Sequence, residues 1–405
     1  MTADLSLQQA PGRMPNRLAW ILGCAAVLIF FAQDLITQRH GTIDGAVYVG
    51  RDFINVWTAG HVLHDGKLGV LYSVKAYSAY QQGLFGPLRV HNYSYPPVSF
   101  PIASLFALLP YGLALIAWTA ATAGLFVAAC RKWWPETAGP AWLAALTPAA
   151  IVNIWTGQYG FVIGALFLLG WQWLDDHPRR AGIAFGLMLL KPHLAVLVPL
   201  ALLIRRDWTA IGSAAATVAV LVAASTLAYG WQPWHEFLFH TSAVQASLID
   251  ARDSFFGLMS TSAATMMLRA VSSWPLAVVV QAGFALVGIA VVALAAWRRV
   301  ATRDLCFLTA TATFLVLPYA FSYDLTVVAV GALAILSRID VPPLERRLAF
   351  YGFLSPQLGI VLAAMNTPGL PLMLAGLAAA QFRLATNKAD STPQHSFNPH
   401  TASAA

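Results

Sequence analysis

Residues able to move a proton or hold an anion are few in this chain, and most stand alone among apolar neighbours. Arg51-Asp52-Phe53-Ile54-Asn55-Val56-Trp57-Thr58-Ala59-Gly60 reads as a short helix lying on a membrane surface. Helical spacing gives Asp52, Asn55 and Ala59 one face, and Phe53, Val56 and Trp57 another. A carboxylate there, with an amide one turn on, is a candidate general base beside a substrate-positioning group. The same Asp also suits a plain helix N-cap, and the sequence leaves both readings open. His61 and His64 follow in a turn-rich stretch and read as solvated loop positions.

Lys191, followed by Pro192 and His193, interrupts an otherwise apolar run. A lysine at membrane depth points to a functional site and to an anionic partner; the alternative is a side chain snorkelling to the outer interface. Gln158, after Thr156-Gly157, can hydrogen-bond a hydroxylated substrate or cap a helix. Tyr323 and Asp324 form a second acidic site at the end of a later apolar run. Arg252, in Asp250-Ala251-Arg252-Asp253, is either a cation for an anionic ligand or the partner of its own neighbours. Tyr93-Ser94-Tyr95-Pro96-Pro97 is an extended entry into an apolar run, because a residue before proline avoids the helical region. Its tyrosines suit a membrane interface.

The elements that position these residues follow from composition. Of 405 residues, 58% are apolar and 10% charged, where a soluble chain carries about 25% charged residues. So few charges cannot cover so large an apolar surface in water. The chain is an integral membrane protein. Its net charge of +7 comes from basic pairs between apolar runs rather than a basic stripe, which argues against nucleic acid. Cys24, Cys130 and Cys306 sit within or beside apolar segments as packing residues, with no spacing for a disulfide framework or zinc. No phosphate loop, HExxH or GxSxG pattern occurs, and no metal or cofactor is expected.

Residues 1–16 form a polar cytoplasmic tail, and the run 18–36 reads as an uncleaved signal anchor. The polar region 38–95 follows, then apolar stretches at about 96–129, 140–154, 158–174, 181–191, 193–204, 208–229, 274–297, 304–320, 323–337, 348–365 and 368–382. A second polar loop covers 230–256. Several stretches fall short of the ~20 residues a perpendicular helix needs, so some are broken, paired or re-entrant. Pro101 and Pro110-Tyr111-Gly112 mark a short first piece within 96–129. A single membrane domain therefore spans 17–385, and the polar tail 386–405 reads as disordered and cytoplasmic. A cytoplasmic N-terminus puts 16 of the 24 basic residues inside, as the positive-inside rule requires. Everything chemically unusual then faces outward.

The order of the short motifs carries more than any one of them. An Asp-bearing helix at 52–60, the segment from Gly66 to Tyr72, Tyr95-Pro96-Pro97, Gly157-Gln158 and Lys191-Pro192 together resemble glycosyltransferase family 87, over roughly residues 15–340. That family belongs to the GT-C superfamily of polytopic transferases that use polyprenyl-phosphate sugars. The resemblance implies an all-α polytopic membrane protein, a GT-C-like bundle of about twelve transmembrane helices with surface helices on a large first periplasmic loop. It further implies an inverting hexosyltransferase of the bacterial inner membrane, both termini cytoplasmic and the active site periplasmic. Mannose would pass from polyprenyl phosphate to a glycolipid or glycan acceptor, among membrane lipids. Asp52 takes the family's base position. Lys191 and Arg252 are then donor-phosphate ligands, and Asn55, Tyr95, Gln158, His193, Tyr323 and Asp324 position substrate. Many relatives carry a histidine where this chain reads Pro318-Tyr319-Ala320-Phe321-Ser322-Tyr323-Asp324-Leu325. The rival reading is a secondary transporter or a flippase for lipid-linked sugars, which an intramembrane lysine and broken spans also fit. Against it stand the lack of an internal repeat and the clustering of polar residues at one face.

Overall fold

The computed structural model describes residues 47–89, 92–241, 254–367 and 369–391, with scattered positions before 47 (17, 20–22, 25, 31–32, 34, 36–39, 42–43) and at 244 and 249. Within the expected first span, the described positions up to 37 are helical. Three two-residue strands follow, β1 (Gln38–Arg39), β2 (Thr42–Ile43) and β3 (Val47–Tyr48), antiparallel in the order 1-2-3. Gln38 pairs with Ile43, and Thr42 with Tyr48. Every other named element is helical.

Five helices among the described residues are long and apolar enough to cross a membrane: α4 (Tyr111–Cys130), α9 (Trp208–Tyr229), α10 (Trp274–Trp297), α13 (Pro343–Ala364) and α14 (Gly369–Ser391). Val220, Leu227, Val279 and Leu286 stand exposed along α9 and α10, an apolar surface suited to lipid rather than water. This is the build of an all-α membrane protein. The expected count of twelve spans is not reached among the described residues. The remaining apolar runs form shorter pieces: α5 (Pro148–Thr156), α6 (Gly160–Trp173), α7 (Pro178–Leu187), α8 (Val198–Arg205), α11 (Thr302–Val316) and α12 (Thr326–Leu336). α5, α6, α11 and α12 are mostly buried inside the bundle, where neighbouring helices replace lipid and bilayer thickness no longer fixes helix length. α14 runs six residues into the tail expected to be disordered, and Arg252 lies outside the described residues.

The first polar loop is mostly helix: α1 (Phe53–His64), α2 (Val74–Phe85) and, after an extended Pro96, the short α3 (Phe100–Phe106). The break at Pro110 then starts α4, so the short first piece expected within 96–129 is present. α1 corrects the amphipathic surface helix read from sequence. Phe53, Ile54, Val56, Thr58, Ala59 and Val62 are all buried, because α2 covers one side and α3 the other. At Gly60 a Cβ would drive into the Ala103 carbonyl and the Ala107 side chain, so only glycine lets α3 lie this close. His61 and His64 belong to the end of α1 rather than to a loop. His61 packs 3.9 Å from the Trp57 ring, and His64 Nε2 lies 2.8 Å from Ser104 Oγ. Cys130 and Cys306 are buried and unpaired; Cys24 lies outside the described residues.

Candidate active site

The chain enters α1 through a strained turn. Gly50 and Arg51 both have positive φ, 82° and 44°, a conformation that costs about 1–3 kcal/mol at a non-glycine residue. Arg51 is held there from the side. Its guanidinium lies 2.6 Å from Asp34 Oδ1 and 3.9 Å from the centre of the Trp155 ring, while Trp155 Nε1 donates to Asp34 Oδ2 at 2.5 Å. Asp34 was not singled out from sequence, although an acid near the end of an apolar run is a signal of this kind.

The turn delivers Asp52 to the head of α1 without using it as a cap. Its backbone is helical, and its side chain makes no capping hydrogen bond. Instead Oδ2 accepts from Gln158 Nε2 at 2.7 Å. Gln158 is fixed in turn because Tyr95 donates its hydroxyl to Oε1 at 2.6 Å. Burial holds the Tyr95 phenol well above its ordinary range, and Tyr159 and the Asp52 carboxylate push the same way. The phenol therefore stays a donor at any physiological pH, and the amide must turn its own N–H toward Asp52. Oδ1 of Asp52 has no hydrogen-bond partner among the described residues.

Backbone geometry holds Gln158 at this point. Gly157 ends α5 in the left-handed region, φ 64°. A Cβ there would sit 2.6 Å from the Phe53 Cβ. The glycine lets the α5–α6 connection press against the start of α1, and Asp52 N–H donates to the Thr156 carbonyl at 3.0 Å. The helix-capping alternative for Gln158 therefore does not hold; its side chain belongs to Asp52 and Tyr95. Tyr159 and Trp118 back this wall, with the Tyr95 and Tyr159 rings 4.5 Å apart.

Asn55, one turn after Asp52, faces the same space. Gln81 Nε2 donates to its Oδ1 at 3.1 Å and the Tyr77 hydroxyl to its backbone carbonyl at 2.7 Å. This leaves Nδ2 as the donor pointing toward the cavity. Across from Asp52, the chain breaks between α7 and α8 into two short 3-10 turns, Met188–Leu190 and Pro192–Ala195, with Lys191 at the junction. Lys191 is buried and does not snorkel. Its Nζ donates to both carboxylate oxygens of Asp324, at 2.9 and 3.0 Å, and lies 4.8 Å from the Tyr323 ring centre. Asp324 reaches it from the 3-10 turn Ser322–Asp324 ahead of α12.

One cavity of about 190 Å³ collects these groups. Asp52, Asn55, Tyr95, Gln158, Lys191, His193, Tyr323 and Asp324 all line it, so every described residue proposed for the site from sequence is brought together. Sequence reading missed Asn92, Ser94, Tyr319 and Phe256, which complete the wall. Asn92 precedes the quoted Tyr93–Tyr95 stretch and Ser94 lies within it, but polar residues of a loop carry no separate signal.

Residues 93–318 match the profile of glycosyltransferase family 87, over half of the chain. The chain belongs to glycosyltransferase family 87. It is a membrane glycosyltransferase, acting between a sugar donor and an acceptor, and family membership sets the transporter reading aside. The matched segment takes in Tyr95, Gln158, Lys191 and His193, while Asp52 and Asp324 fall outside it and join the site through the fold. No curated protein and no solved structure gives a significant match.

Proposed function

We propose that the chain is an inverting hexosyltransferase that moves mannose from a polyprenyl-phosphate donor to a hydroxyl of a glycolipid or glycan, on the periplasmic face of a bacterial inner membrane. The observation that carries this reading is Asp52: a carboxylate held by Gln158 through one oxygen and open to the cavity through the other. Such a group is oriented for proton abstraction without being consumed by a cap or an ion pair.

In this reading Oδ1 takes the acceptor hydroxyl proton as the acceptor oxygen attacks the sugar's anomeric carbon. The bond from that carbon to the phosphate oxygen breaks on the opposite face, and the phosphate leaves with the electron pair. One displacement inverts the anomeric centre. Lys191 donates to the leaving phosphate, a charge-assisted bond that strengthens as negative charge develops. Asp324 already neutralises that ammonium, so its task is to hold Lys191 in place rather than to act as a second base. His193, Tyr319 and Asn55 Nδ2 are neutral donors for sugar hydroxyls and phosphate oxygens, and Arg252 supplies a further cation from the second outer loop.

The test is direct. Purified protein is supplied with polyprenyl-phosphate mannose labelled in the sugar, together with a glycolipid extract. Release of polyprenyl phosphate, coupled one-to-one to label in the acceptor and with inversion at the anomeric carbon, is the expected result. Transfer from a nucleotide sugar instead would overturn the donor assignment, and retention of configuration would overturn the single displacement.

A further inference from the structure

Arg51 directly precedes Asp52 and holds a backbone conformation, φ 44°, that glycine would adopt without strain. Such strain persists only where the surroundings over-determine it, and it collects at functional sites. What the arginine side chain gains here is Asp34, on the helical segment before β1. The Asp34 carboxylate divides its oxygens between two segments of chain: Oδ1 accepts from Arg51 at 2.6 Å and Oδ2 from Trp155 Nε1 at 2.5 Å. The guanidinium also sits over the Trp155 ring, which closes the three side chains into one cluster.

Both tied segments carry a group of the site. Asp52 comes one residue after Arg51 and Gln158 three residues after Trp155, and their side chains meet at 2.7 Å. The segments touch between these points, through Asp52 N–H to the Thr156 carbonyl and the close approach of Gly157 to Phe53. Asp52 and Gln158 line the proposed reaction cavity, whereas Asp34, Gly50 and Trp155 line a separate apolar groove of about 450 Å³. The Arg51 and Asp34 side chains are only 12% and 16% exposed, and an ion pair in apolar surroundings is stronger than one in water. The pair has a second consequence. A guanidinium one residue from Asp52 is a ready partner for its carboxylate. With Arg51 turned to Asp34, Oδ1 of Asp52 stays open to the cavity.

We propose that Asp34 is a positioning residue for the transfer reaction: it clamps residues 50–52 to residues 155–158 and draws Arg51 away from the base. The proposal rests on Asp52 as general base. Asp34 lies outside the cavity and acts through Arg51 and Trp155 on the Asp52–Gln158 geometry. A misplacement of about 1 Å at a reacting group can lower the rate by about a hundredfold.

The full-length protein in nanodiscs is assayed with polyprenyl-phosphate mannose and a glycolipid extract. Asp34→Asn should lower kcat about tenfold to a hundredfold, with acceptor KM and the binding of fluorescent polyprenyl phosphate unchanged. Adding Arg51→Gly should lower kcat no further, because glycine accepts the turn and the released cation is gone. In the Asp52→Asn background, Asp34→Asn should leave the residual rate as it is, since effects exerted through one group do not add. A merely structural role would lower that rate again and overturn the proposal. Trp155→Phe keeps an aromatic ring, removes the Nε1 donor, and serves with a smaller expected loss of kcat if Asp34→Asn does not fold. Hydrogen–deuterium exchange without substrate gives a second readout: Asp34→Asn should speed exchange in residues 50–55 and 155–159. Normal kcat in the folded clamp variants, beside an inactive Asp52→Asn, overturns the clamp and leaves the base reading standing. Near-normal transfer by Asp52→Asn overturns the base reading and the proposal with it. If the unmodified protein transfers nothing from this donor, the donor reading fails, and unchanged exchange in both segments then overturns the clamp.

Discussion

Lys191 and Asp324, 133 positions apart in the chain, meet in the Asp52 cavity as a two-point ion pair, with Nζ 2.9 Å from Oδ1 and 3.0 Å from Oδ2. Both side chains are almost fully buried. Removing one partner of a buried pair leaves an uncompensated charge, at about 3–5 kcal/mol. Lys191→Met should therefore lose both turnover and thermal stability. The double variant Lys191→Met with Asp324→Asn removes both charges and should recover most of the stability while staying inactive. Melting temperature in detergent, read beside a transfer assay, separates the two effects. A single variant as stable as the unmodified protein would mean that the pair is open to water and holds nothing in place.

In the proposed reaction Gln158 acts through Asp52. Its amide donates to the carboxylate at 2.7 Å and is itself fixed by Tyr95. A hydrogen bond to a charged group contributes about 1.5–3 kcal/mol, so Gln158→Leu should lower kcat roughly tenfold to a hundredfold. The acceptor KM should hold, since the bond orients the base rather than the substrate. Tyr95→Phe removes only the second link and should give a smaller drop in the same direction. A rise in KM with unchanged kcat would make Gln158 a substrate ligand instead.

Much of this site was legible because membrane-depth chemistry is conspicuous in sequence. Lys191 stands out among leucines, and Asp52 and Asn55 share a helical face at the start of a polar region. Their pairing was not legible. That Lys191 meets Asp324 depends on how the broken pieces around 188–195 stack against the turn at 322–324, a relation with no local signal. The readings of Asp52 as a cap and Lys191 as a snorkelling residue failed for the same reason: each side chain finds its partner on another element. Helix length alone does not count the spans, because interior helices such as α5 and α12 are shielded by protein and need not match the bilayer.

Orientation is checked without any assay of activity. Asp65, just after α1, and Asp176, between α6 and α7, are both exposed. The distribution of basic residues puts the first outside and the second in the cytoplasm. Asp65→Cys loses exposed contacts with Lys67 and Tyr80, which solvent screens, so both cysteine variants should fold. A membrane-impermeant maleimide on intact cells should label position 65 and leave position 176 untouched until the membrane is opened. The opposite pattern would put the Asp52 cavity on the cytoplasmic side and remove the case for a periplasmic donor.

Asp52→Asn is the sharpest test of the catalytic reading. The Asp52 side chain makes no capping bond, so α1 loses nothing at its start, and an asparagine oxygen can still accept from Gln158. Size, packing and the Tyr95–Gln158 link are preserved, and melting temperature should change little. The amide cannot take a proton from the acceptor hydroxyl. Loss of a general base removes about 10²–10⁴-fold of rate, and the deficit should fall on kcat with donor binding intact, because Lys191 and Asp324 are untouched. Spin-labelled or fluorescent polyprenyl phosphate reports that binding independently of turnover. A folded variant that binds the lipid and barely transfers sugar is the expected result; near-normal transfer would leave Asp52 as an orienting group and require the proton to leave by another route.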